Sequence, residues 1–300
     1  MSKVMTLKEA ISKYVKSGDL LFISGAQHGE PSAAVHEIVR QKIDHLTVTC
    51  CLVTTMSLLI GEGLVDRYLT GWAIQDKKRA YAHQKAASLN KSPKIIEYSH
   101  FGLSMALMAG MIGVPFMPTR GMIGSDIPKY NENVKEIDCP FTGVNTGLVK
   151  AIVPDVSIIH TQRCDDLGNA QKWGSLGMDV EGINASKTVI VTTEKIVESD
   201  IIRRDPNRTI IPGFRVSAVV EVPWGAHPMH LGGCYNGDQF GFMVDIMGKE
   251  NYEAYVEKLI YGVKDWDEYL RVRREIKGEE YWKNLEIQNP IMGEPIPSGY

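Results

Sequence analysis

The chain has 300 residues, 44% of them hydrophobic and 23% charged, the proportions of a globular protein with one large core or two fused ones. A net charge of -3 supplies no overall positive field, which excludes general nucleic-acid binding and requires any anionic ligand to be gripped locally. Lys3 and Lys8 are not followed by an apolar leader segment, and no apolar run reaches the length of a membrane span, so a cytoplasmic location is expected.

Chain order begins with a helix. Thr6 and Glu9 form a capping-box pair, and Leu7, Ala10, Ile11, Tyr14 and Val15 follow at helical spacing up to Gly18. Residues 19–24 are a short, continuously apolar run, the pattern of a strand buried on both faces of a parallel sheet. Pro31 suits the first position of a helix through Val35, Ile38 and Val39, and residues 46–53 give a second buried strand. Residues 94–98, a helix over 99–111 and residues 114–118 repeat that rhythm, predicting an open α/β fold with a mainly parallel sheet flanked by helices.

Beyond Val134 the chain reads as a strand-rich extension, with strands over 147–153, 156–161, 187–193 and 215–222. Residues 250–282 carry two charged helical stretches, and the proline- and glycine-rich residues 288–300 are expected to be an extended tail. With neither a repeat nor a flexible linker, residues 1–300 are expected to form a single domain. Cys50, Cys51, Cys139, Cys164 and Cys234 lack the spacing of a zinc site or a disulfide framework, so free thiols and no metal are expected.

In such a sheet ligand chemistry belongs in strand-end loops. In Ser24-Gly25-Ala26-Gln27-His28-Gly29-Glu30-Pro31, two glycines allow close backbone approach and a helix start offers N–H groups to a carbonyl oxygen or phosphate. The same residues would also serve as a plain strand-to-helix turn. The second loop, residues 118–126, combines Arg120 with Gly121, Gly124 and Ser125. Arg120 would suit a carboxylate or a phosphate, or would pair with Asp126.

The loop from His160 to Asn169 reads as a structural turn, and Cys164 would be a nucleophile only with a base against it. His227 and His230 flank Pro228, which resists the helix that a metal-binding pair would need. The run from Pro223 to Pro228 suits a rigid loop that packs its Trp224 over a substrate or subunit surface.

Taken together these stretches resemble the A subunit of glutaconate CoA-transferase, in the class I CoA-transferase family. The resemblance is carried by residues 1–10 with Lys16-Ser-Gly-Asp19, Pro31-Ser-Ala-Ala-Val with Glu37-Ile, Val114-Pro-Phe-Met-Pro118, Ile158-Ile-His160-x-Gln162, Ile201-Ile-Arg203-Arg-Asp-Pro206, Ile211-Pro-Gly213 and Gly225-Ala-His-Pro228. It implies the open α/β fold of that family and coenzyme A bound as a thioester substrate. It also implies a homologous B subunit whose glutamate takes the acyl group, while Gly25, Ala26 and Gln27 wall the site and donate N–H groups to the reacting carbonyl.

Two departures bear on the substrate. The Gly-Gly-Phe of such subunits reads Ser24-Gly25-Ala26 here, and the stretch from Cys50 to Trp72 does not follow the glutaconate enzyme. The family also contains decarboxylases and ring-opening hydrolases. The hydrolases resemble this chain through Arg120-Gly-Met-Ile-Gly-Ser125 and use a glutamate of their own corresponding subunit where this chain has His100. His100 is therefore a candidate base, its alternative role being to cap the helix that starts beside it. A non-catalytic sensor of CoA esters is the third reading.

Overall fold

The computed structural model describes residues 2–72 and 80–287, so the expected tail over 288–300 lies outside the described residues. Four parallel strands come first: β1 (Leu20–Ile23), β2 (Leu46–Cys50), β3 (Val65–Thr70) and β4 (Lys94–Glu97), side by side in that order. Next, β5 (Phe116–Thr119), β6 (Val134–Asp138) and β7 (Asn145–Lys150) form a separate antiparallel sheet in the order β5-β7-β6.

The chain then returns to the main sheet. β8 (Val156–Cys164) pairs parallel with β1, and β9 (Ala170–Gln171) folds back antiparallel on the end of β8. β10 (Thr188–Ile196) runs parallel to β8 on its other side, β11 (Thr209–Ile211) pairs antiparallel with β9, and β12 (Ala218–Glu221) runs parallel to β10. The parallel order is thus β12-β10-β8-β1-β2-β3-β4 within a nine-stranded sheet.

The apolar run at β1 is explained by burial on both faces. Leu21 and Ile23 join one hydrophobic cluster with Val48, Ile158, Ile190 and Val220, while Phe22 joins the other with Leu69, Ile96, Ile159 and Val191. Each such side chain contributes about 1.5–3 kcal/mol when fully buried. Helices Ser32–Gln41, Met56–Gly61 and Gly248–Val256 cover the first face, and helices His100–Ile112 and Asp179–Ala185 cover the second.

The first helix, Leu7–Tyr14, carries the anticipated capping box: Thr6 N–H donates to Glu9 Oε2 at 2.9 Å and Glu9 N–H to Thr6 Oγ1 at 3.3 Å. Pro31 stands at the N-cap and the helix starts at Ser32, one residue later than expected. The charged C-terminal stretches are helices Gly248–Val256, continued by a π-turn over Glu257–Tyr261, then Trp266–Lys277 and Glu279–Leu285.

Two expectations are corrected. Residues 114–118 do not continue the parallel rhythm, because β5 pairs antiparallel with β7. The strand-rich extension is the small antiparallel sheet alone, since β8, β10 and β12 complete the main sheet. Strand β3 and helix Met56–Gly61 lie in the stretch where sequence reading made no assignment. Among the described residues no helix is long and apolar enough to cross a membrane.

Candidate active site

Parallel strands β8, β1, β2, β3 and β4 deliver their C-terminal ends to one edge of the main sheet, so the segments after them stand in a row. With neighbouring strands about 4.8 Å apart, the end of β1 lies about 14 Å from the end of β4.

The loop after β1 is tightly specified. Gly25 has φ +110, and a Cβ there would lie 2.9 Å from Glu30 Cγ. Its N–H donates to Asp179 Oδ1 at 2.8 Å. At the far end, Gly29 N–H donates to the His230 carbonyl at 2.9 Å. Gly25 therefore shapes the turn, and its N–H is engaged by the Asp179 carboxylate. Ala26 and Gln27 form the half-buried apex, and their N–H groups have no partner among the described residues. Gln27 is held at φ 60, in the left-handed region that side chains other than glycine rarely adopt.

Charged and polar groups lock this loop from beneath. Glu30 is buried, and its carboxylate accepts from Thr54 N–H at 2.9 Å and from Thr55 N–H and Oγ1 at 3.1 Å. Burial pushes its pKa upward, against the N–H donors that favour the ionised form. His28 has one hydrogen-bond partner on each ring nitrogen: Nδ1 donates to the Ser175 carbonyl at 2.9 Å and Nε2 accepts from Gly232 N–H at 3.0 Å. Burial, then the nearby Lys172 charge, holds its pKa down to about 4.

At the end of β4 the cap belongs to Ser99, whose Oγ accepts from Gly102 N–H at 2.9 Å, and not to His100. His100 is the first helical residue, and its buried Nε2 has no hydrogen-bond partner among the described residues. Gly71, after β3, presses against it so closely that a Cβ would lie 2.5 Å from His100 Cδ2.

The loop after β5 packs on the same helix start. A Cβ on Gly121 would lie 3.0 Å from Phe101 Cδ1 and 3.6 Å from Ser99 Oγ, and buried Met122 lies against Gly102. Ser125 Oγ donates to the Met122 carbonyl at 2.7 Å, tightening the turn below exposed Arg120, Gly124 and Ser125. Asp126 pairs with Lys129 at 2.7 Å, so Arg120 has no ion pair among the described residues. The candidate residues thus form two groups on one edge: Gly25, Ala26 and Gln27, and three strands away His100 with Arg120, Gly121, Gly124 and Ser125.

The other two loops are structural. His160 is buried, with Nε2 at 2.7 Å from Glu194 Oε1 and Nδ1 at 2.9 Å from Thr192 Oγ1. Cys164 is buried, and desolvation pushes its thiol far up, which disfavours a nucleophilic thiolate. Trp224 is half-buried and stacks on Tyr235 at 4.3 Å within the chain. His227 is buried between the hydroxyls of Tyr269 and Tyr281, at 2.9 and 3.0 Å.

Sequence reasoning missed Glu30, Lys172, Asp179 and Glu194. Glu194 accepts from Tyr235 Oη at 2.7 Å, Trp224 N–H at 2.8 Å and Gly225 N–H at 3.2 Å. Glu30 had a faint signal, an acid between Gly29 and Pro31 at the start of an apolar helix; the other partners are far apart in the chain.

The coenzyme A transferase family profile matches residues 4–222. The A subunit of the 3-oxoadipate CoA-transferase of Pseudomonas knackmussii is 36% identical over 276 residues, covering 90% of this chain and 97% of that protein. The A subunit of the glutaconate CoA-transferase of Acidaminococcus fermentans is 35% identical over 296 residues, covering 90% of this chain and 91% of that protein. The crystal structure of the Acidaminococcus enzyme superposes with a TM-score of 0.83 at 34% identity, covering 98% of each chain. The cholesterol ring-cleaving hydrolase IpdA subunit of Rhodococcus jostii is more distant, 25% identical over 248 residues, 79% of this chain and 83% of that one. The chain therefore belongs to the coenzyme A transferase family, in the branch that holds the A subunit of glutaconate CoA-transferase.

Proposed function

We propose that this chain is the A subunit of a two-component enzyme that moves coenzyme A between carboxylic acids, one of them a dicarboxylic acid, with the reacting glutamate on a homologous B subunit. The observation that carries this reading is that Glu30 and Asp179, the carboxylates beside the loop after β1, are buried and engaged. A carboxylate held by three donors or an ion pair is a poor nucleophile, which favours an acyl-accepting carboxylate supplied by the partner.

In that reaction the partner glutamate attacks the thioester carbonyl, and the oxygen that becomes anionic accepts from the N–H groups of Ala26 and Gln27. Collapse expels the CoA thiolate and leaves an acyl-glutamyl anhydride. The thiolate then attacks the glutamyl carbonyl, releasing the first acid and leaving a glutamyl-CoA thioester. The second acid repeats the sequence in reverse. Arg120, exposed at the other end of the row, receives the distal carboxylate of a dicarboxylic acyl group.

The experiment is to coexpress the chain with its partner, incubate the complex with acyl-CoA and reduce it with borohydride. Transfer predicts loss of activity together with one glutamate of the partner reduced to the alcohol. A complex that stays unmodified and active overturns the proposal.

One observation favours a second reading, hydrolysis on the same scaffold with His100 as the base: its Nε2, at the end of β4, has no hydrogen-bond partner among the described residues. Release of free CoA without an acceptor acid, abolished in His100→Ala, would establish it.

A further inference from the structure

A crevice of about 290 Å³ opens between the main sheet and the small antiparallel sheet, lined by none of the candidate active-site residues. Its floor is Leu20, Thr47, Arg67 and Leu69, and its wall is residues 150–153. At about 30 Å³ per water molecule, it has room for about ten waters, or for one small organic acid.

Its chemistry is cationic. Arg67 and Lys150 are exposed at its edge, and neither has an ion pair among the described residues. Tyr98 also lines the crevice; the residue is 1% exposed, and its hydroxyl has no hydrogen-bond partner among the described residues. The side-chain amides of Asn131 and Asn133 lie beside that hydroxyl without closing a hydrogen bond of good geometry, and the Arg67 charge acts on it. A buried hydroxyl left unsatisfied is costly, and such a group beside two unpaired cations is what a bound oxyanion would complete. Asp155, beside Leu20, does not neutralise the cations, because it accepts from Lys187 Nζ at 2.7 Å and Leu20 N–H at 2.9 Å. Glu132, exposed next to Asn133, also acts on Tyr98 with its negative charge, against the Arg67 cation.

We propose that this crevice binds a small anion whose carboxylate or phosphate group lies between Arg67 and Lys150 and accepts the Tyr98 O–H, with a short apolar body against Leu20, Leu69 and Ile152. The site is separate from the thioester site and does not depend on the assignment of transfer or hydrolysis.

The test titrates the complex of this chain and its partner with inorganic phosphate and, separately, with glutarate, by calorimetry at low salt. Saturable binding of either is expected, and the tighter of the two identifies the anionic group. Tyr98→Phe should weaken binding about threefold to tenfold, and the double substitution Arg67→Met with Lys150→Met by roughly tenfold or more. The KM for acyl-CoA should be unchanged in all variants. Absence of saturable binding, or binding that the double substitution leaves intact, overturns the proposal. Tyr98→Phe keeps the ring in the core, so its effect separates loss of the hydroxyl from loss of the fold.

Discussion

Lys172 and Asp179 form a buried ion pair at 2.6 Å and hold opposite ends of one loop. Asp179 accepts the Gly25 N–H at 2.8 Å, while Lys172 donates to the Gly29 carbonyl at 3.3 Å. Burial raises the Asp179 pKa, and the Lys172 charge opposes that shift. The apex residues Ala26 and Gln27 are thereby presented with little freedom, the preorganisation that a donor to a developing oxyanion requires.

Lys172→Met should therefore act on stability and on activity. It leaves a buried carboxylate without its partner, a change that costs about 3–5 kcal/mol. Chemical denaturation should show that loss. Assayed where the variant remains folded, the complex should lose kcat more than it gains in KM.

Gly71→Ala tests the packing against His100. The new Cβ would meet His100 Cδ2 at 2.5 Å and its backbone N at 2.7 Å, so the start of the helix must shift. Overpacking of this kind costs about 1–3 kcal/mol. If His100 takes part in the reaction, Gly71→Ala should reproduce the kinetic defect of His100→Ala; equal activity in wild type and Gly71→Ala would remove His100 from the mechanism.

Arg120→Met should separate binding from folding. Arg120 is exposed and has no ion pair among the described residues, so stability should change by no more than about 0.5 kcal/mol. KM for a dicarboxylic acyl-CoA should rise roughly tenfold while a monocarboxylic one is unaffected. The comparison is a pair of steady-state assays.

His28 should make stability depend on acid. Its folded pKa is held down to about 4, below the ordinary histidine value of about 6.5. Between these values the unfolded chain takes up a proton that the folded chain refuses, so stability is complete above the upper value and is lost as pH falls towards the lower one. Near pH 5, His28→Asn should unfold with roughly one fewer proton taken up, read from the slope of stability against pH.

Much of the framework was legible from local order. The pair Thr6 and Glu9 places a helix start because both groups lie within one turn. The apolar run at β1 announces a strand buried on both sides, and Leu21 and Phe22 do face separate clusters. Such signals act between near neighbours, so they survive without a tertiary context. β3 was missed because its two exposed residues, Asp66 and Arg67, interrupt the apolar pattern at a sheet position that burial elsewhere sustains. The stretch that became β5 read as one more parallel strand, since its apolar content is indifferent to strand direction; only pairing with β7 settles that.

By itself the sequence determined the α/β class, the strand-end placement of the candidate loops and the family, all of which depend on residue order and short-range periodicity. Tertiary structure alone decided which donor points where. Gly25 was expected to offer its N–H outward, but Asp179, arriving from a helix 154 residues further along the chain, draws it inward. Ser99 displaced His100 as the cap, and Asp126 turned to Lys129, leaving Arg120 without an ion pair among the described residues. Hydrogen bonds and ion pairs depend on distance in space, which residue spacing does not encode once the chain has crossed a sheet.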